Sequence, residues 1–498
     1  MTGPLDDLVE LEPDAHPLRF HSEGGSFSHY GPVMYAPKGT EAVVGNVTAH
    51  ELNHYWMHSS TPYGAVLDDL AELAARETIL YCATLQREGL PIPIPAVDVV
   101  RAFREQRLSS EQSALLHSLA ERHVVPWTHE VLLENWLEGR DLNSVRNAKL
   151  PQLLRWLVDF EDRSRAIRSD EELFSGEPPE FSDYQRRFVF SWADALETLE
   201  RPAFPSVDLE TGSIPLGAQH LFEVCAQQME QVDEAFWDGA SLQLKNLYWG
   251  LLSAVMQLYP GDVESEAGMR SVISTLMTIA DLALFVPVGR VYGRLREDSM
   301  TPRDLHPGWR FEVLLEKLAP EDWLEGIDES APRLQRSLRR KAGWPSPDRF
   351  LELGAGLKPT THDTARHAAA CRMRLEADDR LIAGPGFDAA RLEPLLRDHY
   401  PIFIKGSETI IGGASTEERL PPLISYSLAS FAWMVMRKGE LSWQKLFPPR
   451  LDFTGLFENI GSYDDLIALY REIDPFYPDE AFCGADELYP RESSPQSA

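Results

Sequence analysis

The run STLMTIADLALFVPV, residues 274–288, is apolar on every side of a helical wheel. A helix with no polar stripe cannot lie at a surface, so other elements have to wrap it. The run is too short for a bilayer, which needs roughly 20 apolar residues. No run of 18 or more apolar residues occurs anywhere in the 498. The wrapping must therefore come from the chain itself, and no membrane partner is expected. ISYSLASFAWMVMRKG, ending at Gly439, reads as a second buried helix of this type with a glycine stop.

The remaining pattern is helical over most of the chain. The expected class is mainly α: a large multi-helix protein with a few short strands near the N-terminus and in the C-terminal region. GPVMY reads as a short strand, and PIFIKGSETIIGG as a hairpin around Lys-Gly-Ser-Glu. Gly and Pro clusters divide the rest. They suggest a first helical region at 1–175 and a second at 176–345 that packs on the first as one catalytic unit. A mixed α/β region at 346–485 and a disordered tail at 486–498 would follow.

The formal charge of -31 repels nucleic acid and anionic membranes, so neither is expected as a partner. The cysteines, Cys82, Cys225, Cys371 and Cys483, are too widely spaced for a CxxC metal pattern and too few for a disulfide framework. The opening MTGPLDDLVELEPD is acidic and lacks the apolar segment of a secretory signal. A cytoplasmic location is expected.

Chemistry concentrates in TAHELNHYWMHSSTPYG, residues 48–64. Thr48 is suited to cap a helix that runs through His58 and stops before Pro62. On such a helix His50 and His54 stack one turn apart, offset by about 40°, and can present two imidazoles to one cation. Glu51 lies about 100° round from His50, beside the site, where it can take a proton from water bound to a metal. This is the HExxH arrangement. His58 falls about 80° from His50, at the edge of the face, and suits a flanking role better than a ligand's.

A catalytic zinc takes three protein ligands and keeps one position open. Glu77 is one candidate, because it falls among Leu70, Leu73, Ala74, Leu80 and Tyr81 on the apolar face of its helix. A carboxylate there needs a cation or an arginine. Glu223 is another, on a helix face with Gln227 and Glu230 and no Lys or Arg, three residues after His220. Asp281, inside the apolar run, reads as a buried acid bonded to backbone or an arginine, with a place in a metal site built from several helices as the alternative. THDTARHAAACRMR, with His362, Asp363 and His367, lacks the further ligands of an HD-type metal site and reads as surface.

His50-Glu51-Leu52-Asn53-His54 resembles the signature of zincin metallopeptidases, and with Glu77 downstream it is most similar to the gluzincin arrangement. The resemblance implies His50 and His54 as zinc ligands, Glu51 as general base and Glu77 as third ligand, with Tyr55, Tyr63 and His220 available to stabilise an oxyanion. The expected function is a zinc-dependent, peptidase-like hydrolase acting on a peptide or small-molecule substrate. A non-haem iron oxygenase is the alternative with the same ligands. A helical binding protein is the non-enzymatic one.

Overall fold

A computed structural model describes residues 26–28, 33–36, 44–67, 134–139, 206–209, 212–227, 242–287, 302–324, 327–346, 348–350, 352, 402–405 and 409–411. They are mainly α-helical, as the periodicity implies. Helix α1 spans Val44–Ser60, α2 Ala218–Gln227, α3 Leu242–Leu258, α4 Glu266–Ala283, α5 Pro307–Lys317 and α6 Ile327–Ala342. Short strands flank them. β1 (Ser26–Ser28), β2 (Val33–Ala36), β5 (Ile402–Lys405) and β6 (Thr409–Ile411) form one sheet in the order β1-β2-β5-β6, with only β2–β5 parallel. β3 (Ser206–Leu209) and β4 (Gly212–Pro215) pair antiparallel just before α2.

Helix α4 is the centre of the described core, and α2, α3, α5 and α6 all pack on it. Ser265 starts it by accepting a hydrogen bond from Gly268 N at 3.0 Å. Val272, Leu276, Met277, Ile279, Ala280 and Leu282 are buried on all sides of the axis, which is why this run has no polar stripe. Its polar residues are satisfied internally. Thr278 Oγ1 donates to Ser274 O, and Thr275 Oγ1 accepts from Leu324 N. Asp281 accepts from Gln335 Nε2 of α6 at 3.2 Å. This acid has a core role and is not part of a metal site among the described residues.

The C-terminal end of α4 is closed by a buried arginine. Arg310 Nε donates to Ala283 O at 3.0 Å, and its Nη1 donates to Asp304 O at 2.7 Å. Its guanidinium lies 3.5 Å from the centre of the Trp344 ring. A cation placed on terminal carbonyls also complements the negative end of the helix dipole.

His306 caps α5, its Nδ1 accepting from Gly308 N at 3.1 Å while Nε2–H donates to Trp136 O at 3.1 Å. Both nitrogens are used by the neutral ring, and burial pushes its pKa down from 6.5 to about 4. The unfolded chain therefore binds a proton between those values that the folded chain refuses. Stability from this group is complete above about pH 6.5 and is lost as pH falls towards 4, by about 3 kcal/mol in all. His306→Asn retains a capping acceptor and should flatten this slope. Urea unfolding between pH 7 and 5 checks it; equal slopes in both proteins would contradict the assignment.

No helix of the described residues is long and apolar enough to cross a membrane. The segments around Glu77, His362 and Gly439, and the tail 486–498, lie outside the described residues.

Candidate metal centre

Helix α1 starts at Val44, one turn before Thr48, so Thr48 lies inside the helix and not at its cap. Gly45 and Asn46 are weak helix formers, so local preference points to a start at the next good capping residue, Thr48, and the helix begins before it. The stop comes close to where the sequence puts it. Ser60 Oγ donates to Trp56 O and Thr61 Oγ1 to Met57 O, which satisfies carbonyls of the last turn. Thr61 Oγ1 also accepts from Gly64 N and so opens the next helical stretch, residues 62–67, with Pro62 in its first turn. Tyr63 N donates to Leu284 O at 3.0 Å and ties this corner to the end of α4.

Helix α2 lies between α4 and α1 and packs on both. Leu221, Val224 and Cys225 are buried on α2, while Glu223 is partly buried. Glu223 thereby meets His50 and His54. The Nε2 atoms of the two histidines are 3.0 Å apart, and Glu223 Oε2 is 3.6 Å from each. The three donor atoms form the one group of metal-ligating side chains found among the described residues. Two ligands at about 2.0–2.1 Å in tetrahedral geometry are about 3.3 Å apart, so this triangle has the size a zinc ion or a similar divalent ion requires.

The surroundings fit a cation too. Glu223 Oε2 is sequestered from solvent and, beyond the two imidazoles, has no hydrogen-bond donor among the described residues. Burial works to raise its pKa, yet the nearby His54 and His50 overcome that and hold the carboxyl well below its usual value. A buried anion facing two imidazole nitrogens is a donor set that a divalent cation completes.

The other residues singled out in the sequence are placed as follows. Glu51 is on α1, directly after His50. His58 is buried but is not in the ligand group. His220 Nδ1 accepts from Gly217 N at 3.3 Å, which commits it to the turn that starts α2. Tyr63 OH donates to Glu138 Oε1 at 2.5 Å, and both residues are buried. Tyr55 is buried. Glu77 lies outside the described residues.

The Tyr63–Glu138 pair went unnoticed in the sequence. Glu138 follows Trp136 and Leu137, and that apolar company is the signal that its side chain turns inward. The pair closes the aromatic wall of the centre: the Tyr63 ring is 5.9 Å from Phe222, and Phe222 is 6.2 Å from His54. Behind it, residues 134–139 press against the start of α2, with Gly139 and Gly217 at their closest approach. No family model, curated protein or solved structure matches this chain.

Proposed function

We propose that this chain is a metalloenzyme in which His50, His54 and Glu223 hold one divalent cation, and that it is a zinc-dependent, peptidase-like hydrolase. The observation that carries the reading is the convergence of two imidazoles one turn apart with a sequestered carboxylate from a second helix. Zinc held by these three residues would supply a Lewis acid and would lower the pKa of a bound water to about 7. The chain's own residues do the rest. Glu51, carried about 100° round α1 from His50, takes the proton from the attacking water and returns it to the leaving group. Phe222 lies beside His54, with Tyr63 against Phe222, and the two rings give the site an apolar side. We place the reaction in a reducing cytoplasm, in line with the cysteine usage, and take peptides or small amide-containing molecules as substrates.

Glu51→Gln should leave metal content unchanged and lower hydrolysis at least about 100-fold. Digestion of a peptide library, read by mass spectrometry, provides the assay. Retained hydrolysis in that variant would remove Glu51 from the chemistry.

A second reading keeps the ligands and changes the metal. Two histidines and one carboxylate with open positions also suit ferrous iron in an oxygenase. One observation favours it: Tyr63 and His220, two of the three residues available to stabilise an oxyanion, are engaged with Glu138 and Gly217. Activity that requires dioxygen, in protein that contains iron as purified, would select this reading over the first.

A further inference from the structure

Asn53 lies inside the HExxH sequence and is fully buried, yet neither its Oδ1 nor its Nδ2 has a hydrogen-bond partner among the described residues. A buried amide in that state costs about 1–3 kcal/mol for each unmet group, so side chains like this are rare without a reason. The helix gives the reason a direction. The line bisecting His50 and His54 lies about 20° round from His50. Glu51 stands about 80° to one side of that line and Asn53 about 80° to the other. The ligand pair is thus flanked by a carboxylate on one side and an amide on the other.

A trapped water answers the amide poorly, because it would need two to four polar partners of its own. Along that side of α1 the helix carries Trp56, Met57 and Ser60, and the Ser60 hydroxyl already donates to Trp56 O. A ligand that brings its own donor and acceptor answers both atoms at once. The side chain of asparagine donates through Nδ2 and accepts through Oδ1, which is complementary to a peptide group or carboxamide.

We infer that Asn53 is a substrate-binding residue that pairs with an amide group next to the group held at the metal, so that the substrate class is peptides or N-acylated amino-acid derivatives. This rests on the metalloenzyme reading and adds to it the side on which the substrate backbone lies. Asn53 then marks the substrate side of the site. The same orientation holds whether the cation is zinc or iron.

The experiment uses the full chain loaded with cobalt(II) and two probes. Acetohydroxamate reaches only the metal. N-acetylglycine hydroxamate carries one additional amide. Both are titrated by the visible spectrum of the cobalt. In the wild-type protein the second probe should bind about tenfold or more tighter than the first. Asn53→Leu and the isosteric Asn53→Asp should bring the two probes to within about twofold, with acetohydroxamate affinity unchanged. Asn53→Leu should also raise the Tm of the metal-free protein, because it replaces an unmet amide with an apolar side chain of similar size. Cobalt uptake with an undiminished preference in both variants overturns the inference and leaves the metal reading standing. A lowered Tm in Asn53→Leu shows that protein groups hold the amide and also overturns it. A wild-type chain that takes up no cobalt overturns the metal reading and this inference with it.

Discussion

Glu223→Ala should weaken metal binding by on the order of 100- to 1,000-fold. Structural zinc binds with about 10–16 kcal/mol through four ligands, so one ligand is worth about 3–4 kcal/mol, which is two to three powers of ten in affinity. The substitution removes Oε2 from a position 3.6 Å from both imidazole nitrogens and takes away the negative charge of the set. The fold should survive, since among the described residues the nearest partners of Glu223 Oε2 are His50 and His54 themselves, at 3.6 Å, and no other donor holds it. Glu77→Ala is the informative companion. If Glu223 is the third ligand, that variant should bind metal within about threefold of wild type. Competition against a chromophoric chelator measures both. Near-equal losses would mean two carboxylates share the site, and a loss confined to Glu77→Ala would transfer the ligand role to it.

Gly217→Ala should be the most destabilising single methyl in the described residues near the centre. A Cβ there would sit 2.1 Å from Glu138 C, 2.2 Å from Gly139 N and 2.3 Å from Glu138 O. All three are backbone atoms, so no side chain can rotate away and the 134–139 segment or α2 has to move. Overpacking of ordinary core positions costs about 1–3 kcal/mol, and a backbone collision belongs at or above the top of that range. A loss of about 3 kcal/mol lowers Tm by roughly 6–12 °C in a domain of 150–250 residues. The effect should reach the metal as well. Ala218 begins α2, and Glu223 lies one and a half turns along it, so a displaced start carries the ligand with it. Gly343→Ala is the control. Its φ is +74°, but nothing lies within 4 Å of the added carbon, so it incurs only left-handed strain of about 1 kcal/mol. Equal effects of the two substitutions would show that the close approach at Gly217 does not matter.

Much of this architecture can be read from local pattern, and what cannot has a common cause. The apolar run at 274–288 announces a buried helix because its composition alone rules out a solvent face, and α4 occupies the centre of the described core. His50 and His54 are legible as a pair because four-residue spacing is a local property. Glu223 was visible only as an acid on a face without cations, one of several such acids. Selecting it needs the packing of α2 on α1, more than 150 residues away in the chain. The partners of Asp281 and Glu138 have the same character: Gln335 and Tyr63 are 54 and 75 residues distant. Periodicity says which side of a helix is buried, but not which other helix buries it. The start of α1 failed for a different reason. Helix propensity is a weak preference, and α1 runs through Gly45 and Asn46 although local preference alone would start it later.

The central claim is that His50 and His54 converge on a cation with Glu223. Elemental analysis of the chain purified without chelator, beside His50→Ala/His54→Ala purified in the same way, tests it most directly. The expected result is about one equivalent of zinc or iron per wild-type chain and none above background in the double variant, with both proteins folded. A metal-free wild type, or equal metal in the two proteins, would contradict it.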